Sequence, residues 1–135
     1  MTKVFLLTVV LVAVYMLFIV LAHSTHSDSV CEIPVVVEVL NGCGQPGMAE
    51  RAASHLRACG FDVMCVGNAD DFDFSETVVV DRSGDPDKAG EVAEALGRVP
   101  VVYQLSSAFF VDVTVVLGGD AEDSPWMRGD RGNPL

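Results

Sequence analysis

The 135-residue sequence predicts a small α/β (α+β) sandwich: one mixed sheet with two helices on one face, in the order β-α-β-β-α-β-β, preceded by one transmembrane helix. Three observations predict it. An uncharged apolar run opens the chain. Behind it, valine-rich runs of strand length alternate with two stretches whose apolar residues recur at helical spacing. Gly, Pro, Asn and Asp punctuate these segments at the places where elements should stop. The length suits one domain with its own core and is short for two.

Residues 4–22, VFLLTVVLVAVYMLFIVLA, contain no charge, proline or glycine. At about 1.5 Å per residue such a helix crosses a hydrocarbon core of roughly 30 Å. Lys3 flanks it on one side and Asp28 and Glu32 on the other. The positive-inside bias therefore puts residues 1–3 in the cytoplasm and the body of the chain outside. A secretory signal is the competing reading, with Val20 and Ala22 as small residues before a cleavage site. The apolar run exceeds the roughly 7–15 residues of a signal core, which favours a retained anchor. Either way the body is exported.

Residues 23–34, polar and without periodicity, read as a linker. Residues 35–40 read as a strand ended by the turn dipeptide Asn41-Gly42. Ala49, Ala52, Ala53, Leu56 and Cys59 then form the buried stripe of a helix that Gly60 stops. Residues 61–66 resume strand chemistry, with Phe61, Val63 and Cys65 on one face. A polar loop leads to the strand TVVVD, residues 77–81, and the connection is short enough for a long hairpin. Asp85 can cap a second helix beginning at Pro86, with Ala89, Val92, Ala93 and Leu96 as its stripe and Gly97 as its stop. VPVVYQL and DVTVVLG supply two more strands. A small split-βαβ arrangement follows, with the domain at 35–119 and a disordered tail at 120–135, where Trp126 and Met127 are the only anchor points.

With 19 acidic and 8 basic residues the net charge is −11, which argues against a nucleic-acid partner because phosphate binding needs clustered Lys and Arg. Surface charge would not hold so acidic a body to anionic lipid either, so the apolar helix is the expected membrane contact.

The ordered combination VEVLNGCGQPGMAERAASHLRACGFDV, GNADDFDFSETVVVDRSGD, a short Ala/Leu helix and DVTVVLGGD resembles the LytR C-terminal domain family (LytR/CpsA/Psr C-terminal domain) of bacterial envelope proteins. The likeness runs through the Asn-Gly-x-Gly turn, the Gly-Phe after the helix, the Asn-Ala loop and the final Asp-Val-Thr-Val-Val-Leu-Gly. In that family the domain often follows a phosphotransferase domain that attaches glycopolymers to peptidoglycan. Here an apolar segment and a short linker precede the match, so activity does not carry over. The resemblance implies an envelope role, without transcription: a non-enzymatic binding module meeting a cell-wall glycan or an envelope protein.

Gly42, Gly44 and Gly47 stand as G-x-G-x-x-G between a strand and a helix, with Asp70 and Asp71 a little over twenty residues on, as at a dinucleotide site. Too little chain remains for the parallel strands such a site needs. The alternative is structural: Gly42 and Gly44 permit a tight turn, Pro46 starts the helix and Gly47 allows close helix–sheet packing. An exposed helix start could still receive a carboxylate or anionic glycan group, which makes Asn41, Gly42, Cys43, Gly44 and Gly47 the candidate ligand residues.

Cys31, Cys43, Cys59 and Cys65 form an even set in an oxidising compartment. Cys59 and Cys65 on inward stripes read as buried thiols, with a disulfide as the alternative. Cys43 beside the helix start would be activated if exposed, which opens a thiol-dependent redox or sensor reading. His23, His26, Asp28 and Cys31 match no trusted metal spacing, and Asp70, Asp71, Asp73 and Glu76 lack the EF-hand pattern. Neither a metal nor a cofactor is expected. Arg128-Gly129-Asp130 is taken as a chance match. His55 lies on the exposed helix face with no nucleophile tied to it, so no catalytic residue is predicted.

Overall fold

The computed structural model describes residues 1–23, 33–106 and 110–130. The chain divides into two compact units, Met1–Ile33 and Pro34–Leu135. The first is built on α1 (Thr2–His23), whose stretch Thr2–Ile19 has a mean hydropathy of 2.4 and is buried nowhere. Phe5, Leu11 and Phe18 are all exposed, so α1 is apolar on every side rather than amphipathic. His26, Asp28 and Cys31 lie outside the described residues.

The second unit holds β1 (Val36–Asn41), α2 (Met48–Ala58), β2 (Asp62–Asn68), β3 (Val78–Asp81), α3 (Pro86–Ala95), β4 (Val101–Tyr103) and β5 (Val113–Leu117). A 3-10 turn (Gly119–Asp123) and α4 (Pro125–Asp130) follow. The expected β-α-β-β-α-β-β order holds, as does the single mixed sheet. Asp85 caps α3 by accepting from the Asp87 N–H at 3.2 Å, with Pro86 in the first turn.

Strand order is β2-β1-β5-β3-β4. β1 runs parallel to β2 and β5, β3 runs parallel to β4, and β5 meets β3 antiparallel. Two adjacent β-α-β units, β1-α2-β2 and β3-α3-β4, therefore lie in opposite directions with β5 between them. This corrects two expectations. β2 and β3 form no hairpin, because they sit on opposite sides of β1 and β5. Neither unit is split, since its two strands are hydrogen-bonded neighbours.

Both helices pack on one face, where Val37, Val39, Val79, Val113, Val115 and Leu117 join Leu56 of α2 and Val92 of α3 in one cluster. On the opposite face Thr114 is fully buried, accepting from Arg82 Nε at 3.2 Å and donating to Glu38 Oε2 at 3.0 Å.

Cys59 and Cys65 are exposed, not buried. Cys59 is the cap residue where α2 ends, already off the helix stripe. For Cys65 the cause is a register shift: Val37 pairs with Val63, but Glu38 pairs with Cys65, so Met64 is an extra residue in β2. One inserted residue exchanges the two faces of a strand, and it turns Cys65 away from the core.

The segment 120–130 is ordered rather than disordered. Asp120 Oδ1 accepts from both the N–H and the hydroxyl of Thr77 at 2.7 Å, and Ala121, Trp126 and Met127 are buried in the core cluster. A 3-10 turn and a six-residue helix are too short for apolar periodicity to announce them.

The two β-α-β units share a local device. At the end of β1, Asn41 Oδ1 accepts from the N–H groups of Cys43 and Gly44 at 3.2 and 3.1 Å. At the end of β3, Asp81 Oδ1 accepts from those of Ser83 and Gly84 at 3.0 and 2.9 Å. Gly44 and Gly84 have φ of 74° and 79°, and Pro46 and Pro86 stand at the same offset. The difference lies in the second side-chain atom. Asn41 Nδ2 donates to the Gln45 carbonyl at 2.7 Å, whereas Asp81 Oδ2, fully buried, has no partner among the described residues.

Two outcomes follow for stability. Asp81→Asn retains the acceptor and supplies a donor, so it should raise the unfolding midpoint by an amount worth about 1 kcal/mol, while Asn41→Asp should lower it by about 1–3 kcal/mol. Thermal unfolding of both variants checks this.

The second concerns Lys88 Nζ, 2.7 Å from Asp112 Oδ1, whose other oxygen accepts from the Val36 N–H at 3.0 Å. Burial pushes the Asp112 carboxyl up, but the Lys88 hydrogen bond, the Val36 N–H and the Lys88 charge outweigh it and hold the carboxyl below its usual value. The Asp112 hydrogen bond likewise raises Lys88. A lowered carboxyl stabilises above its unfolded pKa and loses this as pH falls; a raised ammonium stabilises below its own and loses this as pH rises. Lys88→Met should therefore cost up to about 1 kcal/mol near neutrality, with the deficit shrinking below about pH 3 and above about pH 11. Unfolding midpoints measured across pH test it.

Candidate functional site

The turn after β1 brings together Asn41, Gly42, Cys43, Gly44 and Gly47. Asn41 is buried, and its carboxamide oxygen takes the Cys43 and Gly44 amides together with the Cys43 thiol, at 3.3 Å from Sγ. Gly42 donates to the Leu117 carbonyl at 2.9 Å and accepts from the Phe74 N–H at 3.1 Å. A Cβ at Gly42 would stand 2.8 Å from Leu117 O and from the Phe74 ring. Glycine is needed there because two chain segments close on it. Gly44 lies under Phe72, while Gly47 is exposed, left-handed at φ 78° and has no neighbour near a Cβ. Gly47 thus serves backbone conformation, where close helix–sheet packing was expected, and α2 begins at Met48 after it.

Chemically, the amides of Gly42, Cys43 and Gly44 are spent on protein acceptors. Cys43 is half-buried and packs against the core. Cys43, Cys59 and Cys65 are all free thiols. Asp70, Asp71, Asp73 and Glu76 are exposed in the loop between β2 and β3. Among the described residues no group of His, Cys, Asp and Glu is arranged to hold a metal ion.

A different feature emerges on the far side of α2. His55, expected on the exposed face, is half-buried: its Nε2 lies 2.9 Å from the Ala95 carbonyl and its ring stacks on Trp126 at 5.6 Å and 26°. A carbonyl only accepts, so Nε2 carries the hydrogen. Beside this stack α2 and α4 enclose an open pocket of about 510 Å³, lined by Glu50, Arg51, Ser54, His55, Trp126 and Met127 among others. The sequence carried one usable sign of it, the adjacent large apolar pair Trp126-Met127 after Ser124-Pro125. Their meeting with His55 is a tertiary event between residues 71 positions apart in the chain.

Residues 34–120 match the family described as LytR cell envelope-related transcriptional attenuator. The chain belongs to this family. Over 86 residues it is 35% identical to the cell wall biosynthesis protein LcpA of Corynebacterium glutamicum, covering 64% of this chain and 16% of the relative. The chain thus spans about a sixth of that relative's length. It also resembles the solution structure of the C-terminal domain of RV0431, with 28% identity, a TM-score of 0.41, and coverage of 64% of this chain and 75% of the other. The family match ends within the 3-10 turn, so α4 and the Trp126 wall of the pocket lie beyond the matched residues.

The glycine roles separate experimentally. Gly42→Ala should cost about 1–3 kcal/mol through overpacking, and Gly47→Ala about 1–2 kcal/mol through left-handed strain alone. Denaturant unfolding should rank Gly42→Ala as the more damaging, and the reverse order would refute the assignment.

Proposed function

We propose that the protein is a non-enzymatic, single-pass membrane-anchored accessory domain of the cell envelope. In this reading α1 spans the membrane with its N-terminus inside. The domain beginning at Pro34 faces outward and contacts a peptidoglycan-related glycan or a wall-assembly protein. The observation that carries it is the pairing of an envelope-family domain with a helix that has no buried face. Twenty-two residues at about 1.5 Å each give a length that matches a hydrocarbon core. Exposed Phe and Leu on every side of α1 are costly in water and favourable in lipid.

Other features agree. Lys3 precedes the apolar run, as the positive-inside bias requires of a cytoplasmic end. The acidic surface disfavours nucleic acid. The relative named for cell wall biosynthesis shares only this domain-sized stretch, so its activity as a whole is not transferred.

Topology and partner are tested together. Protease added to intact spheroplasts should remove the domain while the N-terminus stays protected, and the full chain should sediment with isolated cell walls or crosslink to wall-assembly proteins. Protection of the domain from external protease would overturn the topology. Failure of both sedimentation and crosslinking would overturn the envelope contact.

A further inference from the structure

We infer that the pocket between α2 and α4 is a saccharide site for a neutral N-acetylated pyranose; this deepens, and rests on, the envelope reading above. At about 510 Å³ the pocket is within the range of small-ligand sites. Its polar groups are of both kinds. The Glu50 carboxylate has no partner among the described residues, and neither does the Trp126 indole N–H. His55, with its hydrogen committed from Nε2 to Ala95, keeps Nδ1 as an acceptor in the neutral ring. Ser54 donates its hydroxyl hydrogen to the Glu50 carbonyl at 2.9 Å, which leaves its oxygen as an acceptor.

Glu50, Ser54 and His55 thus bring acceptors to the pocket, and Trp126, Met127 and Ala58 give it apolar lining. Sugar hydroxyls donate to such acceptors while the C–H face of the ring covers that lining. An acetamido group adds what a plain hexose lacks: a carbonyl for the indole N–H and a methyl for the Met127 side. Glu50 and Arg51 carry opposite charges at the rim, and the chain as a whole carries −11, so a neutral ligand is favoured over an anionic one.

Trp126 is the only tryptophan in the chain, so its emission reports on the pocket directly. The full chain in mild detergent is titrated with chitotetraose, a neutral N-acetylglucosamine oligomer, and with maltotetraose. A saturable change in Trp126 emission with chitotetraose, at least tenfold weaker for maltotetraose and for Glu50→Ala, supports the site. Glu50 is exposed, so its replacement leaves the core untouched; circular dichroism confirms folding, and Ser54→Val is a second variant expected to weaken binding severalfold. No response to chitotetraose, or equal response in both variants, overturns it, and equal binding of maltotetraose overturns the acetamido assignment. Wall sedimentation separates the two readings: a chain that sediments without any Trp126 response refutes the pocket alone. A Trp126 response without sedimentation or crosslinking refutes the envelope contact alone.

Discussion

The structure hangs on the insertion of β5. Val113, Thr114, Val115, Val116 and Leu117 are all buried, so this strand is covered on both faces, and it joins β1 to β3 by hydrogen bonds on both edges. Without it the two β-α-β units have no shared sheet and their helices have no common core. Val37 pairs with Val113, so the first strand of the domain is completed by the last. Such long-range parallel pairing incurs the chain-closure entropy before any contact offsets it. The residues flanking β5 reinforce the join from both ends. Asp112 ties to Val36 and Lys88, and Gly118 donates to the buried Thr77 hydroxyl at 3.1 Å.

What could be read in advance follows from how local each signal is. The helices were legible because Ala49, Ala52, Ala53 and Leu56 state a period, and because Asp85-Pro86 and Gly97 state where a helix begins and ends. Strand existence was legible in the valine runs. Strand neighbours were not: nothing in residues 68–77 distinguishes a hairpin from a crossing that passes two strands. The bulge at Met64 was equally hidden, since alternation through Phe61, Val63 and Cys65 looks regular until the partner strand is known. Trp126 shows the same limit, since a single large side chain can order a tail that carries no pattern.

The two Asx turns show how one local solution is used twice in one domain. Each β-to-α connection must turn the chain sharply while satisfying the amides that the strand no longer pairs, and an Asn or Asp oxygen reaching two and three residues forward does this. NGCGQP and DRSGDP carry it with little else in common. The repeat was therefore invisible as sequence similarity and visible as hydrogen bonding. Asn41 satisfies both ends of its carboxamide; Asp81 satisfies one oxygen and, among the described residues, leaves the other unpaired.

That difference clarifies why the glycine spacing imitates a nucleotide turn. A phosphate cradle presents consecutive backbone N–H groups to an anion. Here consecutive N–H groups also converge, but the oxygen they converge on belongs to Asn41. The carboxamide stands where an anion would stand, and Phe72 lies over Gly44. An external anion would have to displace a buried side chain that also holds the Gln45 carbonyl, and would leave that side chain's polar atoms unpaired. Polar groups open to a ligand are found elsewhere, beside the pocket between α2 and α4. There Glu50, Ser54 and His55 face α4, a segment that the family match does not reach.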